Sequence, residues 1–150
     1  MSRIIKVRGI VICENKLLLV RLKPYKDKLK KQNDFWCLPG GTLEEAETIQ
    51  DGLLREMVEE TGVRPEIGHL SYIQQFSQDN KDYLEFLFYI KNAEDYLNID
   101  LSQTTHGAAE IEELGFKHPE SVSVLPKFLA SEPMSDIVSG SSPTKIYTII

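Results

Sequence analysis

Residues 41–63 read GTLEEAETIQDGLLREMVEETGV: a glycine, a cluster of acids, and then Glu56, Glu59 and Glu60 at i, i+3 and i+4. That spacing sets three carboxylates on one face of a helix. Left bare they repel one another, so the face suits a divalent metal better than it suits packing. Over residues 48–61 the apolar side chains Leu53, Leu54, Met57 and Val58 form a stripe roughly opposite the glutamates. The pattern predicts an amphipathic helix with Thr48 as N-cap and Gly62 as its stop. Gly52 inside it costs about 1 kcal/mol relative to alanine, and is expected either to permit close packing on a sheet or to be merely tolerated.

Just upstream, Phe35-Trp36-Cys37-Leu38 has the bulk of a short buried strand and stops at Pro39-Gly40-Gly41. Proline removes a backbone donor and the glycines relieve steric limits, so a tight loop with exposed backbone is implied. Further back, residues 4–13 and 17–22 are rich in Ile, Val and Leu and flank Glu14-Asn15-Lys16, which predicts a hairpin. Residues 21–31 then hold Arg21, Lys23, Lys26, Lys28, Lys30 and Lys31 against Asp27 alone, with Pro24 opposing regular pairing. This reads as a basic loop, either simply solvated or a flap that contacts phosphate.

Downstream, residues 67–76 and 83–90 predict a second hairpin through the polar stretch 77–82, and residues 111–116 a further strand. Pro126 is placed to open a second helix over 126–130. Residues 145–150 form either a strand or an exposed adhesive end, which leaves a homodimer open. Strands with amphipathic helices between and after them predict an α/β fold with helix layered on a mixed sheet.

The whole chain narrows the function classes. Its 150 residues and 41% hydrophobic content suit one domain over 1–150. A formal net charge of −6 argues against a broad nucleic-acid footprint or attraction to anionic membrane. The opening MSRIIKVRGIVICENK lacks an apolar leader with a cleavage site, and no apolar run reaches membrane-spanning length, so a cytoplasmic, non-membrane protein is expected. Cys13 and Cys37 are read as buried free thiols, and His69, His106 and His118 as surface or loop residues without metal-ligand spacing.

From Gly41 the order is five residues, Glu47, seven residues, Arg55-Glu56, Met57, one residue, Glu59-Glu60, one residue, Gly62, Val63. Every fixed position of the Nudix box is met, and the chain resembles the Nudix hydrolase superfamily. The resemblance implies an α/β/α sandwich with a mixed sheet, and hydrolysis of a phosphoanhydride in a nucleotide or nucleoside diphosphate derivative. It implies magnesium, with manganese as a substitute, held by Glu56, Glu59, Glu60 and the Gly40 carbonyl. Gly41, Glu47, Arg55 and Gly62 would support the box, with Arg55 pairing Glu47. Family members differ in whether a box glutamate or a later carboxylate accepts the proton of the attacking water. Glu59, Glu60 and Glu110 are the candidates, Glu110 lying six residues before Phe116, with Glu112 and Glu113 nearby. Ala46 stands where relatives frequently have glycine, so the loop is expected to be tighter or differently turned.

Substrate contacts are sought at Arg21, Lys23, Trp36 and Glu85, the last either outward on its strand or turned into a cleft. The rival class is a catalytically silent Nudix-fold module that binds a nucleotide or a protein. Degeneration of the box would favour it, and every fixed box residue is present.

Overall fold

The computed structural model describes residues 2–24 and 34–149. The first apolar run is shared between two sheets. Strand β1 (Arg3–Ile10) ends at Val11, and the chain crosses into β2 (Ile12–Cys13) and then β3 (Lys16–Leu22). Glu14 and Asn15 both have positive φ, 52° and 61°. Two left-handed residues in succession give the two-residue turn whose twist matches antiparallel strands. The expected hairpin is therefore present but shorter than 4–13 with 17–22: only Ile12 and Cys13 pair with Leu17 and Lys16.

The rest of the first sheet grows around β1. β5 (Gly40–Thr42) closes antiparallel on it, with Lys6, Val7 and Arg8 opposite Thr42, Gly41 and Gly40. β6 (Ile67–Gln78) and β7 (Lys81–Ile90) form the second hairpin, turned by Asp79 and Asn80 at φ 51° and 61°, and β7 lies parallel to β1. Much of the polar stretch expected to be a loop is therefore strand. β10 (Lys145–Ile149) adds a parallel edge on β6, so the tail is a strand, with Ile146 still 69% exposed. In the second sheet β3 lies between β2, β4 (Trp36–Cys37) and β8 (Ile111–Lys117), and β9 (Val124–Leu125) runs parallel to β4. Both sheets are mixed or short, and both carry helices, as an α/β fold requires.

Alternation along β1 and β7 feeds two cores. Val7, Phe88 and Ile90 meet α1 (Ile49–Thr61) through Leu53 and Met57. Ile10 and Leu87 join Tyr72, Leu17, Leu19, Trp36 and Leu38, together with Leu129 and Ile137. Leu129 lies in a 3-10 turn, Lys127–Ala130, and Ile137 in the six-residue helix Met134–Ser139. The helix expected over 126–130 is corrected to that turn. Pro133 disfavours helical backbone at Glu132, so the two pieces cannot join.

α1 starts and stops as predicted. The Thr48 hydroxyl accepts from the Asp51 N–H at 3.1 Å, and Gly62, at φ 77°, donates its N–H to the Val58 carbonyl. Its buried face is rotated from the expected one. Gly52, Leu53, Met57, Glu60 and Thr61 are inside, Leu54 is intermediate, and Val58 is 37% exposed. The acidic face and the packed face therefore meet at Glu60 instead of lying opposite. Cys13 and Cys37 are both free; Cys13 is half-buried, which corrects the expectation there, while the Cys37 thiol is enclosed enough for burial to raise it.

Leu53→Ala removes a fully buried side chain and is expected to cost about 3 kcal/mol, whereas Val58→Ala should stay within about 0.5 kcal/mol. Urea denaturation of both variants checks the rotation, and equal losses would restore the predicted face.

Candidate active site

Arg55 organises the loop and the acidic face together. Its Nε and Nη2 donate to Glu47 Oε2 and Oε1 at 2.7 and 3.0 Å, a bidentate pair, and Nη2 also reaches the Thr42 carbonyl at 3.2 Å. Nη1 donates to Glu56 Oε1 at 3.0 Å and to Glu59 Oε2 at 3.1 Å. Those hydrogen bonds, and the Glu44 backbone N–H, hold the Glu47 carboxyl below its ordinary range. The guanidinium itself is pushed above its own, chiefly by Glu47.

The loop closes on the helix because small residues let it. A Cβ on Gly41 would lie 2.5 Å from the Glu56 carboxylate, and one on Gly52 would lie 2.4 Å from Leu43 Cδ1 and 2.9 Å from Glu47 Oε1. Gly52 therefore serves close packing against the box loop, not against the sheet. Gly40, at φ 146°, presses on the Val7 carbonyl, a conformation and a contact that a side chain would forbid. Ala46 adopts φ 62°, so alanine stands in a left-handed position that glycine fills without strain.

Glu60 is the most enclosed of the three glutamates. It is 6% exposed and accepts the Gly40 N–H at 3.0 Å. Burial pushes its carboxyl up to about 8, against the pull of that N–H and of Arg8, and with the help of Glu56 and Glu110. Burial also raises Glu56, where Arg55 opposes it and Glu59 and Glu110 add to it. Four carboxylates thus act on one another here.

A cleft of about 460 Å³ gathers Glu56, Glu59, Glu60 and Glu110 with Gly40, Gly41 and Arg55. Glu110 ends the single turn Gly107–Glu110, whose backbone is pressed against α1: a Cβ on Gly107 would lie 2.2 Å from the Glu60 carbonyl. Lys6 and Arg8 of β1 line another part of the wall. Burial, and then Arg8, lower the Lys6 ammonium. Burial also works against the Arg8 guanidinium, but Glu85 leads the groups that outweigh it and keep it raised. Cys37 is in the same wall, its thiol raised by burial.

The proposed substrate contacts are placed elsewhere. Glu85 is buried, takes the Arg8 Nε–H at 3.3 Å and faces Gln74, so its strand partner reaches the cleft and it does not. Trp36 is in the core, with Arg21 5.9 Å and Lys117 5.0 Å from its ring centre. Arg21 also pairs with Glu113 at 3.8 Å. Lys23 donates to the Ala108 carbonyl at 2.8 Å, beside the turn that carries Glu110. Most of the expected basic loop, residues 25–31, lies outside the described residues. Lys6, Arg8 and His106 were not among the sequence candidates. A pair of cations two residues apart in a run that is otherwise apolar from Ile4 to Ile10 was the available signal for the first two.

The donor set fits a hard divalent cation: carboxylate oxygens and a glycine backbone at close range, with burial disfavouring the thiolate form of Cys37 in the wall. Among the described residues no three Asp, Glu, His or Cys groups already surround one point. Arg55 draws Glu56 and Glu59 to itself, and the Gly40 N–H holds Glu60.

A model of the NUDIX domain family matches residues 4–131. A stretch of 68 residues is 40% identical to a MutT-like protein of Streptomyces ambofaciens, covering 45% of this chain and 39% of that protein. A stretch of 69 residues is 36% identical to an ADP-ribose pyrophosphatase of Methanocaldococcus jannaschii, covering 44% and 36%. The match thus spans well under half the length of these curated relatives. The solved E. coli ORF135 protein shares the fold at a TM-score of 0.71, over 95% of this chain and 96% of that one, with 20% identity.

Two substitutions separate backbone strain from packing. Ala46→Gly is expected to raise stability by about 1 kcal/mol by relieving the left-handed position. Gly52→Ala, which helix propensity favours, should lower it by about 1–3 kcal/mol through overpacking against Leu43 and Glu47. Denaturant midpoints at constant m-value read both signs.

Proposed function

The chain belongs to the NUDIX domain family, and on that premise we propose that it is a pyrophosphohydrolase, dependent on magnesium or manganese, that cleaves a phosphoanhydride in a nucleotide or nucleoside diphosphate derivative. The observation that carries this reading is the convergence of Glu56, Glu59, Glu60 and Glu110 on one cleft floored by Gly40 and Gly41. A solvated helix face would leave Glu60 outside, and here it is buried.

Glu56, Glu59, Glu60 and the Gly40 carbonyl are the groups that would hold the cation. Bound there, it would offset charge on the anhydride oxygens and make phosphorus easier to attack. Glu47 and Arg55 keep the loop docked on α1, so the cleft residues hold their separations while substrate enters. Lys6 and Arg8 present positive charge to the phosphates from β1, the part we give to them in place of Arg21, Lys23, Trp36 and Glu85. Glu110, carried by a different segment from the helix glutamates, is positioned to take the proton of the attacking water on its carboxylate; Glu59 and Glu60 are the other carboxylates to test. Residues 1–150 are read as one such domain.

The test is hydrolysis of a nucleotide panel headed by ADP-ribose and nucleoside triphosphates, with products identified, in magnesium and in chelator. Glu59→Gln, Glu60→Gln and Glu110→Gln are expected to lose on the order of 10²–10⁴ in turnover while staying folded. Unchanged rates in both helix variants would remove the assignment. A folded wild type that binds a nucleotide in magnesium or manganese without cleaving it would favour the silent module.

A further inference from the structure

We propose that His106 is a positioning residue that fixes which oxygen of Glu59 faces the cleft. Glu59 Oε2 takes the Arg55 Nη1–H at 3.1 Å and lies 2.9 Å from His106 Nδ1. The pair is a close contact between a ring nitrogen and a carboxylate oxygen, and because a carboxylate can only accept, the proposal puts the ring proton on Nδ1. Two nitrogens from different segments therefore converge on one oxygen. Among the described residues, Oε1 carries no hydrogen bond and is left as the oxygen that can serve a ligand.

The imidazole is not needed to hold its own loop. The His106 backbone N–H already donates to the Glu59 carbonyl at 2.9 Å, the Thr105 hydroxyl reaches the same carbonyl, and Gly107 is pressed against the Glu60 carbonyl. The side chain is 50% exposed, so it also contributes little to the core. What remains for it is the carboxylate. The His106 carbonyl meanwhile accepts the N–H groups of Ala109 and Glu110, so the residue that orients Glu59 also starts the turn that brings Glu110 to the cleft. Arg55 alone would leave Glu59 able to swing, because the same Nη1 is shared with Glu56. A second donor from outside the helix removes that freedom.

This inference rests on Glu59 being a ligand-bearing carboxylate, so the experiment reads His106 apart from turnover. Nitrogen-15 NMR of the metal-free protein is expected to show the neutral His106 ring protonated on Nδ1; an Nε2–H tautomer overturns the proposal. Mn2+ titration followed by electron paramagnetic resonance then compares His106→Ala, His106→Asn and His106→Gln, since the asparagine amide reaches the place of Nδ1 and the glutamine amide that of Nε2. The alanine and glutamine variants should bind Mn2+ about tenfold more weakly, and asparagine should stay within about threefold of wild type, with unchanged melting temperatures. Equal affinity in the alanine variant and wild type overturns the proposal, as does an equal fall in all three with a lower melting temperature. A wild type that binds Mn2+ yet hydrolyses nothing sinks the proposed activity while the alanine–asparagine contrast still decides His106. Absence of any Mn2+ binding by wild type overturns both.

Discussion

One guanidinium makes this site possible. Carboxylates brought out of water raise one another's proton affinity and push apart, and here three box glutamates, Glu47 and Glu110 crowd around a single helix and its loop. Arg55 answers Glu47, Glu56 and Glu59 with its forked donors, while Glu60, beyond its reach, depends on the Gly40 N–H and on Arg8. The same bidentate contact ties loop to helix, which brings Gly41 against Glu56 and lets Gly52 lie under Leu43. Electrostatic compensation and loop geometry are therefore one constraint.

β1 transmits that constraint to the rest of the molecule. It pairs with β5 on one side and β7 on the other, gives Val7 to the core under α1 and Ile10 to the opposite core, and turns Lys6 and Arg8 toward the cleft. Arg8 is tolerable in a strand interior because Glu85 on the neighbouring strand and the Leu38 carbonyl satisfy it. The cleft wall therefore depends on buried partners that do not themselves line it, a dependence that makes Glu85 and Gln74 parts of the site by support.

Features written over a few neighbouring residues were legible directly. The Thr48 and Gly62 caps and the strands 67–76, 83–90 and 111–116 follow from local hydrogen-bonding capacity and period-two alternation, while the Glu47–Arg55 pairing came from the family resemblance. Position 46 stood out because the resemblance sets alanine where relatives frequently have glycine, and the positive φ gives the cost a cause. Local pattern failed in two places. Residues 126–130 tightened into a 3-10 turn ahead of Pro133, and α1 rotated so that Glu60 went inward and Val58 outward. Periodicity counts Glu60 as solvent-facing because the Gly40 N–H that receives it lies twenty residues earlier.

The sequence by itself determined the family-defining box, the helix that carries it and the oxygen-donor chemistry, because spacing along a helix converts directly into a shared face. Only the tertiary structure decided which glutamate is buried, that Lys6 and Arg8 line the cleft where Arg21 and Lys23 do not, and that a loop histidine meets Glu59. Each of those is a contact between segments far apart in the chain, set by how strands cross from sheet to sheet and how closely glycines let backbones approach, and no local spacing encodes it.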